Sequence, residues 1–152
     1  FNLLFGKMNT IKISSNKYNR KGVANGKIIG GNLSILCSLL GSESFPITKG
    51  NILIIEDVGE NLYSIDRMMY SLKRAGVFEN LSGLIVGKFS KIVDSNPKFG
   101  QNLNQITLAI LKEYTFPLCF NFPIGHIKNN TPIIFYKKAS LMINQYTELR
   151  YL

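Results

Sequence analysis

The pattern that most constrains this chain is a repeated unit, a short and wholly apolar run followed by a stretch with helical periodicity. Ile52-Leu53-Ile54-Ile55 lies between Gly50 and the acids Glu56 and Asp57. Four consecutive branched aliphatic residues with no polar alternation fit a strand buried on both faces. Leu62, Ile65, Met69, Leu72 and Ala75 then recur at helical spacing, with Gly76 placed to stop the helix. Gly83-Leu84-Ile85-Val86 repeats the buried-strand pattern. Leu103, Ile106, Ile110, Leu111 and Tyr114 share one face of a further helix that must end before Pro117, and Leu118-Cys119-Phe120 supplies a third buried run. Strands without a polar face need a covering layer on each side, so the chain is predicted to be α/β with a mostly parallel core sheet. The runs Ile133–Tyr136, Leu141–Ile143 and Thr147–Tyr151 follow with no helix between them and predict added C-terminal antiparallel strands.

The beginning of the chain has a different character. Residues 1 to about 26 are rich in Asn, Lys, Ser and Gly, and only Thr10-Ile11-Lys12-Ile13 alternates, so this stretch reads as a linker or a lone strand. Asn32 is a candidate N-cap for a helix over Leu33–Leu40, with Gly41 to end it. The opening Phe1-Asn2-Leu3-Leu4-Phe5-Gly6-Lys7 is too short and lacks the preceding basic region of a secretory signal. No stretch approaches the roughly 20 apolar residues needed to span a bilayer. A Phe at position 1 suggests a chain cut from something longer. Cys37 and Cys119 stand far apart without a C-x-x-C pairing, which offers neither a disulfide framework nor a zinc site and fits a reducing, cytoplasmic setting.

A formal charge of +9 raises the possibility of a nucleic-acid-binding module. The charge distribution speaks against it. Six of the eighteen basic residues fall in the first thirty positions, while five of the nine acids fall between Glu43 and Asp66. A basic linker or solvated surface accounts for this without a polyanion partner.

His126 is the single histidine of the chain, and it follows Phe122-Pro123-Ile124-Gly125 just after the third buried run. Glu56 and Asp57 end the first. In open α/β sheets the carboxyl ends of parallel strands gather at one edge, where loops present functional groups to a crevice. Glu56 and His126 could therefore meet there as a carboxylate–imidazole pair. A surface or core histidine and a helix-terminal acid remain open as alternatives, the latter role suiting Glu60 better. Such a pair lacks a nucleophile. No serine stands in a G-x-S-x-G elbow, and Cys37 and Cys119 lie inside apolar runs where thiols are inert. The segment Gly22-Val23-Ala24-Asn25-Gly26-Lys27-Ile28-Ile29-Gly30-Gly31-Asn32 matches neither phosphate-loop pattern, since Gly26-Lys27 is followed by Ile. Gly30-Gly31 instead permit a close approach of backbone to a ligand or a neighbouring element.

Taken in order, Gly30-Gly31-Asn32-Leu33-Ser34, Ile55-Glu56-Asp57-Val58-Gly59-Glu60, Tyr63-Ser64-Ile65-Asp66-Arg67-Met68, Arg74-Ala75-Gly76 and Gly125-His126 resemble the C-terminal domain of the LD-carboxypeptidase family. That family comprises murein tetrapeptide carboxypeptidases and microcin C immunity peptidases. The resemblance runs from about Gly22 to the C-terminus. It implies a layered β/β/α domain at 22–152, with 1–21 an interdomain linker remnant, and assigns Glu56 and His126 to a Ser-His-Glu triad. The nucleophilic serine and oxyanion hole would belong to an N-terminal flavodoxin-like domain that this chain lacks, so the chain alone should be inactive. The substrate would be a murein peptide losing its terminal D-alanine in peptidoglycan recycling, or a peptidyl-aminoacyl-nucleotide. Gly31 and Asn32 become candidates for the substrate cleft wall. No metal or other cofactor is implied, and the resemblance implies a homodimer without nucleic-acid or membrane partners.

Overall fold

A computed structural model describes residues 9–152. Ten elements follow one another: β1 (Thr10–Ser14), β2 (Gly22–Asn32), α1 (Leu33–Ser38), β3 (Ile52–Val58), α2 (Leu62–Arg74), β4 (Gly83–Ser90), α3 (Leu103–Ile110), β5 (Leu118–Cys119), β6 (Lys138–Ile143) and β7 (Tyr146–Tyr151). The strands form one seven-stranded sheet in the order β1-β7-β6-β2-β3-β4-β5. Strands β2 to β5 run parallel, whereas β6, β7 and β1 join antiparallel to the far side of β2. The sheet is mixed and the fold is α/β, as the apolar runs predict.

Both faces of the parallel strands are covered, and the side chains alternate between two cores. Leu53 and Ile55 of β3 and Leu84 and Val86 of β4 pack with Ile65, Met69 and Leu72 of α2 and Ile106 and Ile110 of α3. Ile52 and Ile54 of β3 and Ile85 of β4 point the other way, to Leu141 and Ile143 of β6 and Leu149 and Tyr151 of β7. Period-two alternation and two apolar covers explain why β3 contains no polar residue before Glu56. Each fully buried Ile or Leu contributes about 1.5–3 kcal/mol by leaving water.

Strand β2 joins the two halves. Gly22–Lys27 pairs antiparallel with β6, and Ile28–Asn32 pairs parallel with β3. Asn32 caps α1, its side chain accepting the Ile35 N–H at 3.1 Å. The cap is as expected, although the helix ends at Ser38, short of Leu40.

Of the two readings of the first residues, a linker or a lone strand, Thr10–Ser14 takes the second, as an edge strand paired with β7, and Arg20 bridges to Leu118. The cause is Ile11, which inserts into the core beneath β7. Its guanidinium tied to the carbonyls of Leu111 and Phe116, Arg20 clamps the same segment onto the turn after α3. Phe1–Met8, including the opening apolar run, lie outside the described residues. One expectation needs correction: Ile133–Tyr136 is a loop and not a strand. Tyr136 adopts φ +63° and is well exposed, a backbone state that no strand accommodates.

Candidate active site

The alternation that buries β3 also sorts its two acids. Glu56 follows Ile52 and Ile54 toward the antiparallel side, while Asp57 follows Leu53 and Ile55 toward the helices. Both are nearly buried, at 7% and 2% exposure. Beside Glu56 the β3–β4 register slips between Ile55 and Asp57, whose partners are Val86 and Phe89, so β4 bulges by one residue. The bulge lets the Lys88 N–H bond the Ile124 carbonyl at 2.7 Å, which draws the His126 loop against the strand ends.

That loop is held at several points. The Gly125 N–H donates to Asn130 Oδ1 at 3.1 Å, the Ser90 hydroxyl to the His126 carbonyl at 3.1 Å, and the Thr131 N–H to the Pro123 carbonyl at 2.7 Å. Gly125 takes φ +133°, and a Cβ there would stand 2.6 Å from the Lys88 carbonyl and 3.1 Å from Glu56 Oε2. Only glycine lets the loop lie this close.

The result is a direct contact. His126 Nδ1 lies 2.8 Å from Glu56 Oε2, with the carboxylate buried and the imidazole side chain 56% exposed. An ionised carboxylate can only accept, so the contact fixes the tautomer of the neutral ring with its proton on Nδ1 and Nε2 as the acceptor. The pair borders a recess of about 300 Å³ lined by Gly31, Glu56, Ile124, His126, Asn130 and Phe135. Asn32 lies in a neighbouring recess of about 310 Å³ that shares Gly31 and Phe135 with the first. A larger depression of about 470 Å³, between Phe45 and Tyr136, touches neither Glu56 nor His126.

The structure thus gathers Glu56, His126 and Gly31 around one recess and sets Asn32 beside it. Phe135 and Asn130 were not singled out from the sequence. Phe135 was hidden in a run that looks like a strand, and it stands 39% exposed in the turn with Tyr136. Asn130 gave no signal beyond its place in a polar loop. Arg67 of α2 lies over the Tyr63 ring, its guanidinium carbon 5.8 Å from the centroid.

Neither thiol is poised to act as a nucleophile. Burial pushes Cys119 up to about 12, and burial with the nearby charge of Asp57 pushes Cys37 up to about 11. Among the described residues no group of three or more His, Cys, Asp and Glu side chains could hold a metal ion, and no helix is long and apolar enough to cross a membrane.

Residues 25–141 match the family model described as the LD-carboxypeptidase C-terminal domain, well over half of the chain. The chain belongs to the LD-carboxypeptidase family. A probable murein peptide carboxypeptidase of Bacillus subtilis is 33% identical over 120 residues, covering 79% of this chain and 38% of that protein. The microcin C7 self-immunity protein MccF of Escherichia coli is 43% identical over 68 residues, covering 44% of this chain and 20% of the relative. Among solved structures, the muramoyltetrapeptide carboxypeptidase of Oxalobacter formigenes superposes with a TM-score of 0.85 at 26% identity, covering 93% of this chain and 49% of that one. This LD-carboxypeptidase domain therefore spans less than half the length of these relatives.

Proposed function

We propose that this chain supplies the histidine and the acid of a Ser-His-Glu triad in a serine-type LD-carboxypeptidase, which removes terminal D-alanine from murein tetrapeptide during peptidoglycan recycling in the bacterial cytoplasm. The observation that carries the reading is the buried Glu56 carboxylate bonded to an exposed imidazole at 2.8 Å. Glu56 holds His126 in one tautomer and stabilises the imidazolium that forms when Nε2 takes a proton. The proton comes from a serine hydroxyl on another domain, which attacks the carbonyl of the scissile bond, and water resolves the acyl-enzyme. Gly31 and Asn32 form the cleft wall against which the peptide lies. The chain alone hydrolyses nothing, the working enzyme is a homodimer, and no cofactor takes part.

The test joins the chain to a nucleophile-bearing N-terminal domain and follows D-alanine release from murein tetrapeptide. The joined protein releases it and the isolated chain does not. His126→Ala lowers turnover on the order of 10^6-fold and Glu56→Gln about 10^4-fold. Turnover near wild type in either variant overturns the reading.

The stretch shared with the immunity protein favours a second reading, an immunity-type peptidase that cleaves a peptidyl-aminoacyl-nucleotide through the same pair. Offering the joined protein both substrates in parallel decides between them.

A further inference from the structure

Glu56 and Asp57 are the two buried carboxylates among the described residues, and the proposed chemistry uses only the first. No cation faces Asp57; the ion pairs among the described residues are Lys73–Glu113 and His126–Glu56. Its charge is met by neutral donors. Oδ1 accepts from Asn32 Nδ2 and from the Val58 N–H, each at 2.8 Å, and Oδ2 accepts from the Ser34 N–H at 2.9 Å.

These bonds fix the Asn32 amide. Its Oδ1 accepts from the Ser34 hydroxyl at 2.7 Å and from the Ile35 N–H at 3.1 Å, and one Nδ2 proton goes to Asp57. An asparagine amide has two donors and two acceptor sites. Three of the four are committed, so the amide cannot rotate without losing bonds to Asp57 and to the start of α1. The fourth, the second Nδ2 proton, has no partner among the described residues. Asn32 borders the recess that shares Gly31 and Phe135 with the Glu56–His126 recess, where its neighbours include the apolar Ile35, Leu39 and Pro46 and the hydroxyl-bearing Ser44 and Tyr136.

We infer that Asp57 is a positioning residue: it holds the Asn32 amide so that the free N–H addresses an acceptor on the peptide lying beside the Glu56–His126 pair. The two neighbouring acids divide the work by strand alternation, one serving the imidazole and the other the cleft wall. The inference rests on the peptide-substrate reading above.

The experiment titrates the isotope-labelled chain with murein tetrapeptide and follows the Asn32 side-chain amide by NMR. In the wild type the two Nδ2 protons are distinct, and the peptide shifts them. Asp57→Asn keeps the shape but turns an N–H toward a donor. It should move the resonance of the Nδ2 proton that faces Asp57 toward the position of an unbonded amide and weaken peptide affinity between about tenfold and a hundredfold, the weight of one charge-assisted hydrogen bond. Adding Asn32→Ala to Asp57→Asn should then weaken affinity no further than Asn32→Ala alone. A purely structural role for Asp57 would lower the melting temperature and leave the affinity of the folded protein unchanged, which overturns the inference. So do additive losses. If Asp57→Asn does not fold, Asn32→Ala replaces it, and unchanged affinity in that variant is equally fatal. A peptide that perturbs no recess residue at all defeats the substrate reading itself.

Discussion

Gly125→Ala tests how closely the His126 loop must lie against Glu56, and its cost has two separable parts. The first is conformational. Gly125 has φ +133°, a region in which an L side chain is strained by roughly 1–2 kcal/mol. The second is steric. The new methyl would stand 2.6 Å from the Lys88 carbonyl oxygen, 3.1 Å from Glu56 Oε2 and 3.3 Å from Glu56 Cβ. The carbonyl is backbone, fixed by the β4 bulge, so the loop has to move outward, and such overpacking costs about 1–3 kcal/mol. Together the loss is about 2–5 kcal/mol. At the middle of that range, about 3.5 kcal/mol, a domain of this size should melt about 7–14 °C lower. Gly31→Ala isolates the first part, because Gly31 has φ +144° with nothing within 4 Å of its would-be Cβ. Thermal unfolding followed by circular dichroism should therefore show Gly125→Ala as the more damaging variant by the steric share, about 1–3 kcal/mol. In the joined enzyme Gly125→Ala should also lose turnover, since the displaced loop carries His126 away from Glu56. Equal destabilisation of the two variants would refute the idea that the loop is pressed against the acid.

Two further predictions rest on local chemistry. Cys119 and Cys37, raised from an ordinary 9.0 to about 12 and about 11, are protonated near neutral pH and should resist a disulfide reagent at about pH 8 until denaturant is added. The same shifts make their contribution to stability complete below pH 9.0 and lost as pH rises through about 11 and 12, so fast native labelling or an alkaline gain in stability would contradict them. Asn102 and Gln105 close a capping box on α3, Asn102 Oδ1 accepting the Gln105 N–H at 3.0 Å and Gln105 Oε1 the Asn102 N–H at 2.9 Å. Asn102→Ala should cost about 1 kcal/mol and speed hydrogen exchange at the Gln105 amide; an unchanged melting curve would show that the box adds nothing.

The parallel core was legible because burial on two faces leaves a simple trace. Ile52–Ile55, Gly83–Val86 and Leu118–Cys119 are unbroken apolar runs, and the helices between them keep one apolar stripe each. Strand β2 was not legible. Its first half, Gly22–Lys27, mixes glycine and polar residues because one face is solvated, and pairing with β6 alone makes it a strand. Ile133–Tyr136 misled for the converse reason. Ile133 and Ile134 pack against the core from a loop, and β-branching records burial and packing but carries no information about who supplies the hydrogen bonds.

The site divides along the same line. Alone, the sequence determined that Glu56 and His126 follow buried strands and so emerge at one sheet edge, and its ordered motifs established the family. Only tertiary structure brought Nδ1 within 2.8 Å of Oε2, through a bulge in β4 and two glycines, Gly87 and Gly125, whose missing side chains make room for Glu56. It alone turned Glu56 to His126 and Asp57 to Asn32 and Ser34, although the two acids are identical in chemistry and adjacent in sequence. The physical reason is that residue type and period report which surfaces are buried, whereas hydrogen-bond partners are set by register and close approach between segments that the sequence keeps apart.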